Sequence, residues 1–209
     1  MTPFPEIPPT GTVHLVDDED AVRDALAFLL SSRGLTVRSY ADGAQFLREA
    51  GLGALNGCVL LDVRMEPISG LQVHDEMIAR GLRNPVLFLT GHGDIPMAVE
   101  ALKKGAFDFI EKPYSDNALA ERVERALRVA EAMCARDAHD AERAARLASL
   151  TDREREVMQR VAAGRLNKVI ADELGVSIRT VEVHRARVFS KLGVRSAAEV
   201  ATLLAELGG

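Results

Sequence analysis

Tryptophan is absent from this 209-residue chain, aromatic residues make up only 4% of it, and cysteine occurs twice. The scarcity of aromatics leaves Leu, Val, Ile and Ala to fill any interior, and the Ala-rich stretches favour helix. Two cysteines make no disulfide framework, and neither Cys58 nor Cys134 has a partner at metal-ligand spacing, so a reduced, cytoplasmic compartment fits best. No apolar run approaches roughly 18 residues, and the opening MTPFPEIPPTG has neither the basic flank nor the apolar centre of a signal peptide. Neither a secretory leader nor a membrane span is expected.

What the chain does have is 47% hydrophobic and 27% charged residues, a balance suited to folded, water-exposed domains. Its length favours two modest domains. The net charge of -5 is unevenly spread: residues 11–120 carry 10 Lys and Arg against 16 Asp and Glu, whereas residues 150–209 carry 10 against 8. The slightly basic C-terminal part is compatible with nucleic acid, provided the charges gather on one face.

After a Pro-rich leader ending near Gly11, short apolar runs alternate with amphipathic segments, the rhythm of a parallel sheet with crossover helices. Strands are predicted at Thr12 to Val16, Thr36 to Tyr40, Cys58 to Leu61, Val86 to Thr90 and Ala106 to Ile110. Helices are predicted at about 20–33, 43–50, 70–80 and 95–104, the first with Val22, Leu26, Leu29 and Leu30 as its apolar stripe. The fold class is α/β, a five-stranded doubly wound parallel sheet. From Asp116 to about Ala148 no Gly or Pro interrupts the sequence, which predicts one long helix. Its later part is polar with a thin seam of Ala126, Ala130, Met133, Ala141 and Ala144, open to a coiled coil or a solvated spacer. At Thr151 the spacing to Glu154 is that of a capping box, and an all-α unit follows with helices at about 152–163, 168–174, 178–191 and 197–207.

In an open parallel sheet, chemistry collects at the carboxyl ends of the strands. There the sequence places Asp17 and Asp18 after the first strand, Asp62 at the end of the third, Thr90 at the end of the fourth and Lys112 after the fifth. Crowded carboxylates repel, and a hard cation such as Mg²⁺ relieves the repulsion while leaving room for phosphate oxygens. Lys and Thr suit a phosphoryl group carried on the remaining carboxylate, best assigned to Asp62. Taken singly, each residue reads as a cap or a solvated acid; their convergence argues otherwise.

VHLVDDE, LLDVRM, SGL, LTGHGD and GAFDFIEKP, in this order and spacing, resemble the flavodoxin-like receiver domain of two-component response regulators. The resemblance implies that Asp62 accepts phosphate from a sensor histidine kinase. It further implies that Asp17, Asp18, Asp62 and the backbone carbonyl of Arg64 hold Mg²⁺ (or Mn²⁺), and that Thr90 and Lys112 contact the phosphoryl group. Phe109 corresponds to a switch aromatic, though a plain core role stays open. Lys112-Pro113 resembles the family's cis peptide. Glu66 departs from the family, which places Pro at that position; here Pro follows at 67, so an altered loop and altered metal affinity or phosphorylation rate are expected.

In the C-terminal unit, Asn167 to Ser177 followed by Ile178 to Leu192 has the form of a helix-turn-helix, with Ser177 as cap of the second helix. TDREREVM, NK.IADELGVS and RTVEVHR followed by KLGVRS resemble the LuxR/NarL class of DNA-binding domains, and the whole chain resembles regulators of the FixJ/StyR type. By position, Glu182, Val183 and Ala186 face bases, and Lys168, Arg179, Thr180, Arg185 and Arg187 contact phosphates; Asn167 and Lys191 complete the expected DNA-binding set. Glu182 has the chemistry to accept from cytosine N4 and Ala186 to pack on a thymine methyl. His184 is open to a backbone contact or a satisfied place within the fold.

Together these imply a disordered leader (1–10), a receiver (11–130), a helical linker (131–147) and a DNA-binding domain (148–209). The function implied is a phosphorylation-controlled transcription regulator and not an enzyme beyond its own phosphorylation and dephosphorylation. Expected partners are a histidine kinase, promoter DNA, RNA polymerase and, when phosphorylated, a second copy of the chain. Two other readings remain at this level: an aspartyl-phosphate phosphatase using Glu66 or His92 as base, and a DNA-binding protein whose receiver no longer switches.

Overall fold

The computed structural model describes residues 9–51, 55–91 and 95–207. It divides into two compact units, residues 1–135 and 136–209.

The first unit begins with β1 (Thr12–Val16), α1 (Asp20–Ser32), β2 (Thr36–Tyr40), α2 (Gly43–Ala50) and β3 (Gly57–Asp62). It continues with α3 (Gly70–Ala79), β4 (Val86–Thr90), α4 (Ile95–Lys103), β5 (Asp108–Glu111) and the start of α5 (Asp116–Ala148). All strand pairs are parallel, in the order β2-β1-β3-β4-β5. The expected doubly wound sheet is present. Every residue of β3 and β4 is buried, as continuous apolar runs in a sheet covered on both faces require.

Because side chains alternate along a strand, each face takes every second residue. Val16, Val59, Leu61, Val86 and Phe88 meet Phe46 and Leu47 of α2, Val73 and Met77 of α3 and Ala101 of α4. Leu15, Cys58, Leu60, Leu87 and Leu89 meet Leu26 and Leu30 of α1 and Leu119, Val123 and Leu127 of α5. These layers leave the strand ends bare, and the site is built there.

The fifth strand starts later than its sequence implies. Ala106 donates its N–H to Ala101 O at 3.0 Å and Gly105 adopts φ +96, so 105–106 close off α4; the ladder runs over Asp108–Glu111, not from Ala106. That shift still brings Lys112 directly after the strand.

The second unit contains the end of α5, then α6 (Asp152–Ala162), α7 (Asn167–Leu174), α8 (Ile178–Leu192) and α9 (Ala197–Leu207). Thr151 and Glu154 form the expected capping box. Val157, Val161, Ile170, Val181, Val188, Leu192 and Val200 make one core. Helix α7 ends at Gly175, held at φ 64 and ψ 36, and Ser177 accepts from Thr180 N at 3.1 Å to start α8. The left-handed turn favours glycine and the cap satisfies an orphan donor, so this short connection is fixed by two local rules.

Candidate functional site

The central strand β3 carries Asp62 at its last position, and α3 starts close by because Gly70 packs against the strand: a Cβ there would lie 2.1 Å from Asp62 O. Asp62 is buried, with two fixed partners. The Arg64 N–H donates to Asp62 Oδ2 at 2.7 Å, and the Lys112 ammonium donates to Oδ1 at 2.8 Å. Lys112 is brought there by β5, whose register sets Glu111 beside Thr90, and by its own N–H donating to Thr90 O at 2.6 Å.

From β1 comes Asp17, 1% exposed, with Oδ1 accepting the Glu19 N–H at 2.9 Å and Oδ2 without a hydrogen-bond partner. The same Oδ2 lies 3.7 Å from Lys112 Nζ. Burial pushes the Asp17 carboxyl above its usual pKa, against the Glu19 N–H and the Lys112 charge, which pull it down. For Lys112, desolvation opposes the charged form, but the hydrogen bond and charge of Asp62, with Asp17 behind it, outweigh that and the pKa is raised. The lysine is therefore held as a cation.

Asp18 is exposed at the rim, Thr90 is buried at the end of β4, and Phe109 is half-buried beside Phe88 at 5.9 Å. Asp17, Asp62, Thr90 and Lys112 thus meet at one edge. Among the described residues no three acidic, imidazole or thiol groups are close enough to form a ready metal cage. The donors nonetheless suit a hard divalent cation: a buried carboxylate oxygen lacks a hydrogen-bond partner, a second carboxylate stands beside it, and among the described residues one ammonium, that of Lys112, pairs with the two acids. Lys112-Pro113 is cis, as the resemblance implied, and Glu66-Pro67 is cis as well; the Glu66 side chain is exposed. His92 lies outside the described residues.

In the second unit Lys168, Arg179, Glu182, Val183, Ala186 and Arg187 are exposed. Other expected contacts are engaged within the domain. Arg185 donates to Asn167 Oδ1 at 2.8 Å and covers the Phe189 ring, and the Thr180 hydroxyl meets Ser177 Oγ at 2.9 Å. Lys191 is turned inward, donating to Glu154 Oε2 at 2.6 Å and to Ser149 O at 2.9 Å. Glu154 is 3% exposed, and a buried carboxylate calls for a cation, which Lys191 supplies. The Lys191 hydrogen bond, followed by that of the Thr151 N–H, pulls Glu154 down to a pKa of about 2. His184 Nδ1 is buried with no partner, so the satisfied place within the fold is not found. The sequence reading also passed over Arg23, which donates to Asp17 O at 2.6 Å, and Gly70; the SGL motif was the available signal for the latter.

A carboxylate on a central strand, paired with a lysine across the strand ends and joined to a separate helix-turn-helix, defines a phosphoacceptor signalling protein with a DNA-binding output. The model of the response regulator receiver domain matches residues 13–124, and that of bacterial regulatory proteins of the luxR family matches residues 148–204. The C4-dicarboxylate transport transcriptional regulatory protein DctR of Rhodobacter capsulatus is 50% identical over 194 residues, 92% of this chain and 98% of DctR. The transcriptional regulatory protein FixJ of Azorhizobium caulinodans is 47% identical over 195 residues, 93% of this chain and 92% of FixJ. The solved structure of the response regulator StyR superimposes with a TM-score of 0.85 at 39% identity, covering 93% of this chain and 98% of StyR. The chain belongs to the two-component response regulators that join a receiver to a luxR-family DNA-binding domain, and it is a phosphorylation-controlled transcription regulator. Among the described residues no helix is long and apolar enough to cross a membrane.

Proposed function

We propose that Asp62 is the phosphoacceptor, charged by a sensor histidine kinase in the cytoplasm. An Asp62 oxygen attacks the phosphorus of a phosphohistidine, the P–N bond breaks with its electron pair leaving on the imidazole, and an acyl phosphate forms. Lys112 balances charge on the transferred group, and the Thr90 hydroxyl at the pocket edge donates to one of its oxygens. Asp17, Asp18, Asp62 and the Arg64 carbonyl are the residues to hold Mg²⁺ or Mn²⁺, which supplies neutralisation of phosphoryl oxygens when bound. The single observation that carries this reading is the Lys112 to Asp62 contact at 2.8 Å beside the unpartnered oxygen of Asp17. Taking a phosphoryl group, from the kinase or from small donors, and hydrolysing the acyl phosphate are the chemistry this reading assigns to it.

A phosphoryl group adds about -1.5 to -2 charge. Thr90 and Phe109, next to Phe88 on the sheet, convert that charge into a changed surface that promotes pairing of two copies. Two helix-turn-helix units then read two half-sites, which raises affinity without new contacts per copy. Lys168, Arg179 and Arg187 meet phosphates; Glu182, Val183 and Ala186 meet base edges; Asn167 and Arg185 hold the two helices in register, and Thr180 meets the cap of its own helix. Promoter DNA and, through it, RNA polymerase are the output partners. The domain boundaries that fit this use are receiver 11–130, linker 131–147 and DNA-binding domain 148–209.

The test measures solution mass and promoter-fragment binding with and without Mg²⁺ and acetyl phosphate, for wild type and Asp62→Asn. Donor-dependent pairing and binding in the wild type alone is the expected result; equal binding by both proteins without donor refutes it.

A further inference from the structure

Two helices of the second unit end against one another. The C-terminus of α8 stops at Gly193, held at φ 70, and leaves the Leu192 carbonyl to accept from Arg146 Nη1 of α5 at 3.3 Å. In the opposite sense, the Ser149 carbonyl just past the end of α5 accepts from Lys191 Nζ of α8 at 2.9 Å. A helix C-terminus carries partial negative charge, so a cation there is favourable; here each helix supplies the cation for the other.

Neither side chain is placed by chance. Lys191 is fixed by the buried Glu154, which is itself fixed by the Thr151 N–H at 2.9 Å. Arg146 is steered by Glu142, one turn earlier on α5, at 2.7 Å. Gly193 leaves space for it: a Cβ at that position would lie 2.7 Å from the Arg146 guanidinium. The exposed Arg146–Glu142 pair would mean little alone, but the Lys191–Glu154 pair has a buried acid. Four side chains and a glycine converging on two helix ends make a built joint.

We propose that Arg146 and Lys191 are positioning residues for DNA reading: they fasten the end of α5 to the C-terminus of α8, so the pose of the second helix of the helix-turn-helix is set from α5. This rests on the phosphorylation-controlled DNA binding proposed above and adds the joint through which α5 acts on α8. Helix α5 runs without Gly or Pro from Asp116 to Ala148, and its first turns carry Leu119, Val123 and Leu127 into the sheet core, so the element that meets the receiver is the one that ends in this joint.

The experiment titrates a promoter fragment with full-length wild type, Arg146→Ala, Arg146→Lys and Glu142→Gln, each with and without Mg²⁺ and acetyl phosphate, alongside thermal melting. The readout is the ratio of the two affinities. Arg146→Ala is expected to cut that ratio at least fivefold while still melting cooperatively, Glu142→Gln to cut it less, and Arg146→Lys to restore most of it. A general loss of stability or of affinity with the ratio unchanged overturns the joint. A wild type whose affinity ignores the donor overturns the parent reading instead, and is told apart because it appears before any substitution is made.

Discussion

The Lys112 ammonium stands 2.8 Å from Asp62 Oδ1 and 3.7 Å from Asp17 Oδ2, so one cation serves two buried acids that come from different strands. Removing it leaves the acids to repel one another and makes the pocket more attractive to a divalent cation. Lys112→Met is therefore expected to bind Mg²⁺ roughly tenfold more tightly, as a neighbouring unit charge implies, while losing donor-dependent DNA binding. Titration calorimetry against Mg²⁺ with a binding assay checks both; weaker Mg²⁺ binding contradicts the charge argument.

Gly70 touches the backbone of Asp62, and nothing larger fits without moving one of the two segments. Gly70→Ala is expected to destabilise the first unit by about 1–3 kcal/mol, the usual cost of overpacking, and to slow phosphorylation by acetyl phosphate. Urea unfolding followed by circular dichroism, with intact mass to score phosphorylation, reads both. A change of less than about 0.5 kcal/mol means that α3 gives way freely.

Glu154 ionises at about 2 in the folded chain against an ordinary 4.5. A depressed carboxylate contributes stability that is fully present above the unfolded value and is lost as pH falls through the folded one. The second unit should lose stability between about pH 4.5 and pH 2, and Glu154→Gln should flatten that dependence. At neutral pH Lys191→Met should cost about 2 kcal/mol, below the roughly 3–5 of a fully buried pair because the lysine is partly exposed. Chemical denaturation across this pH range tests both statements.

Arg187 and Lys168 are exposed, whereas Lys191 is committed to Glu154. Replacing Arg187 or Lys168 by Ala should lower the slope of log affinity against log salt by about 1 each. Lys191→Met should leave the slope unchanged. If it falls for Lys191 too, that lysine leaves the domain to meet DNA.

Burial pushes the Cys58 thiol up to about 12, while Cys134 is exposed on α5. A thiol reagent should modify one cysteine in the native protein and the second only on unfolding. Mass spectrometry under native and denaturing conditions counts them, and rapid double labelling would mean that β3 opens readily.

The sheet and the helical second unit were legible because long apolar runs such as VLLDV and caps such as Thr151 and Ser177 are local signals. The convergence of Asp17, Asp62, Thr90 and Lys112 followed from one rule about strand ends. The start of β5 did not: Ala106 has strand-compatible chemistry, but its N–H closes the end of α4. Lys191 hid its partner for a related reason. Its position on the DNA-reading helix is visible in sequence, but the buried carboxylate that captures it lies 37 residues away. Gly70 and Arg146 depend on close approaches between segments, which periodicity cannot express.

Strand β3 lies in the middle of the order β2-β1-β3-β4-β5, hydrogen-bonded on both sides, with all six residues buried. Its amides should be among the slowest to exchange with solvent, opening only when the unit unfolds as a whole. On that expectation Asp62 sits on the strand of the first unit that opens last. A phosphoryl group carried there, as proposed, would not be lost to local opening of its own strand; its effect would have to reach the edge of the sheet, where β5 is partly exposed.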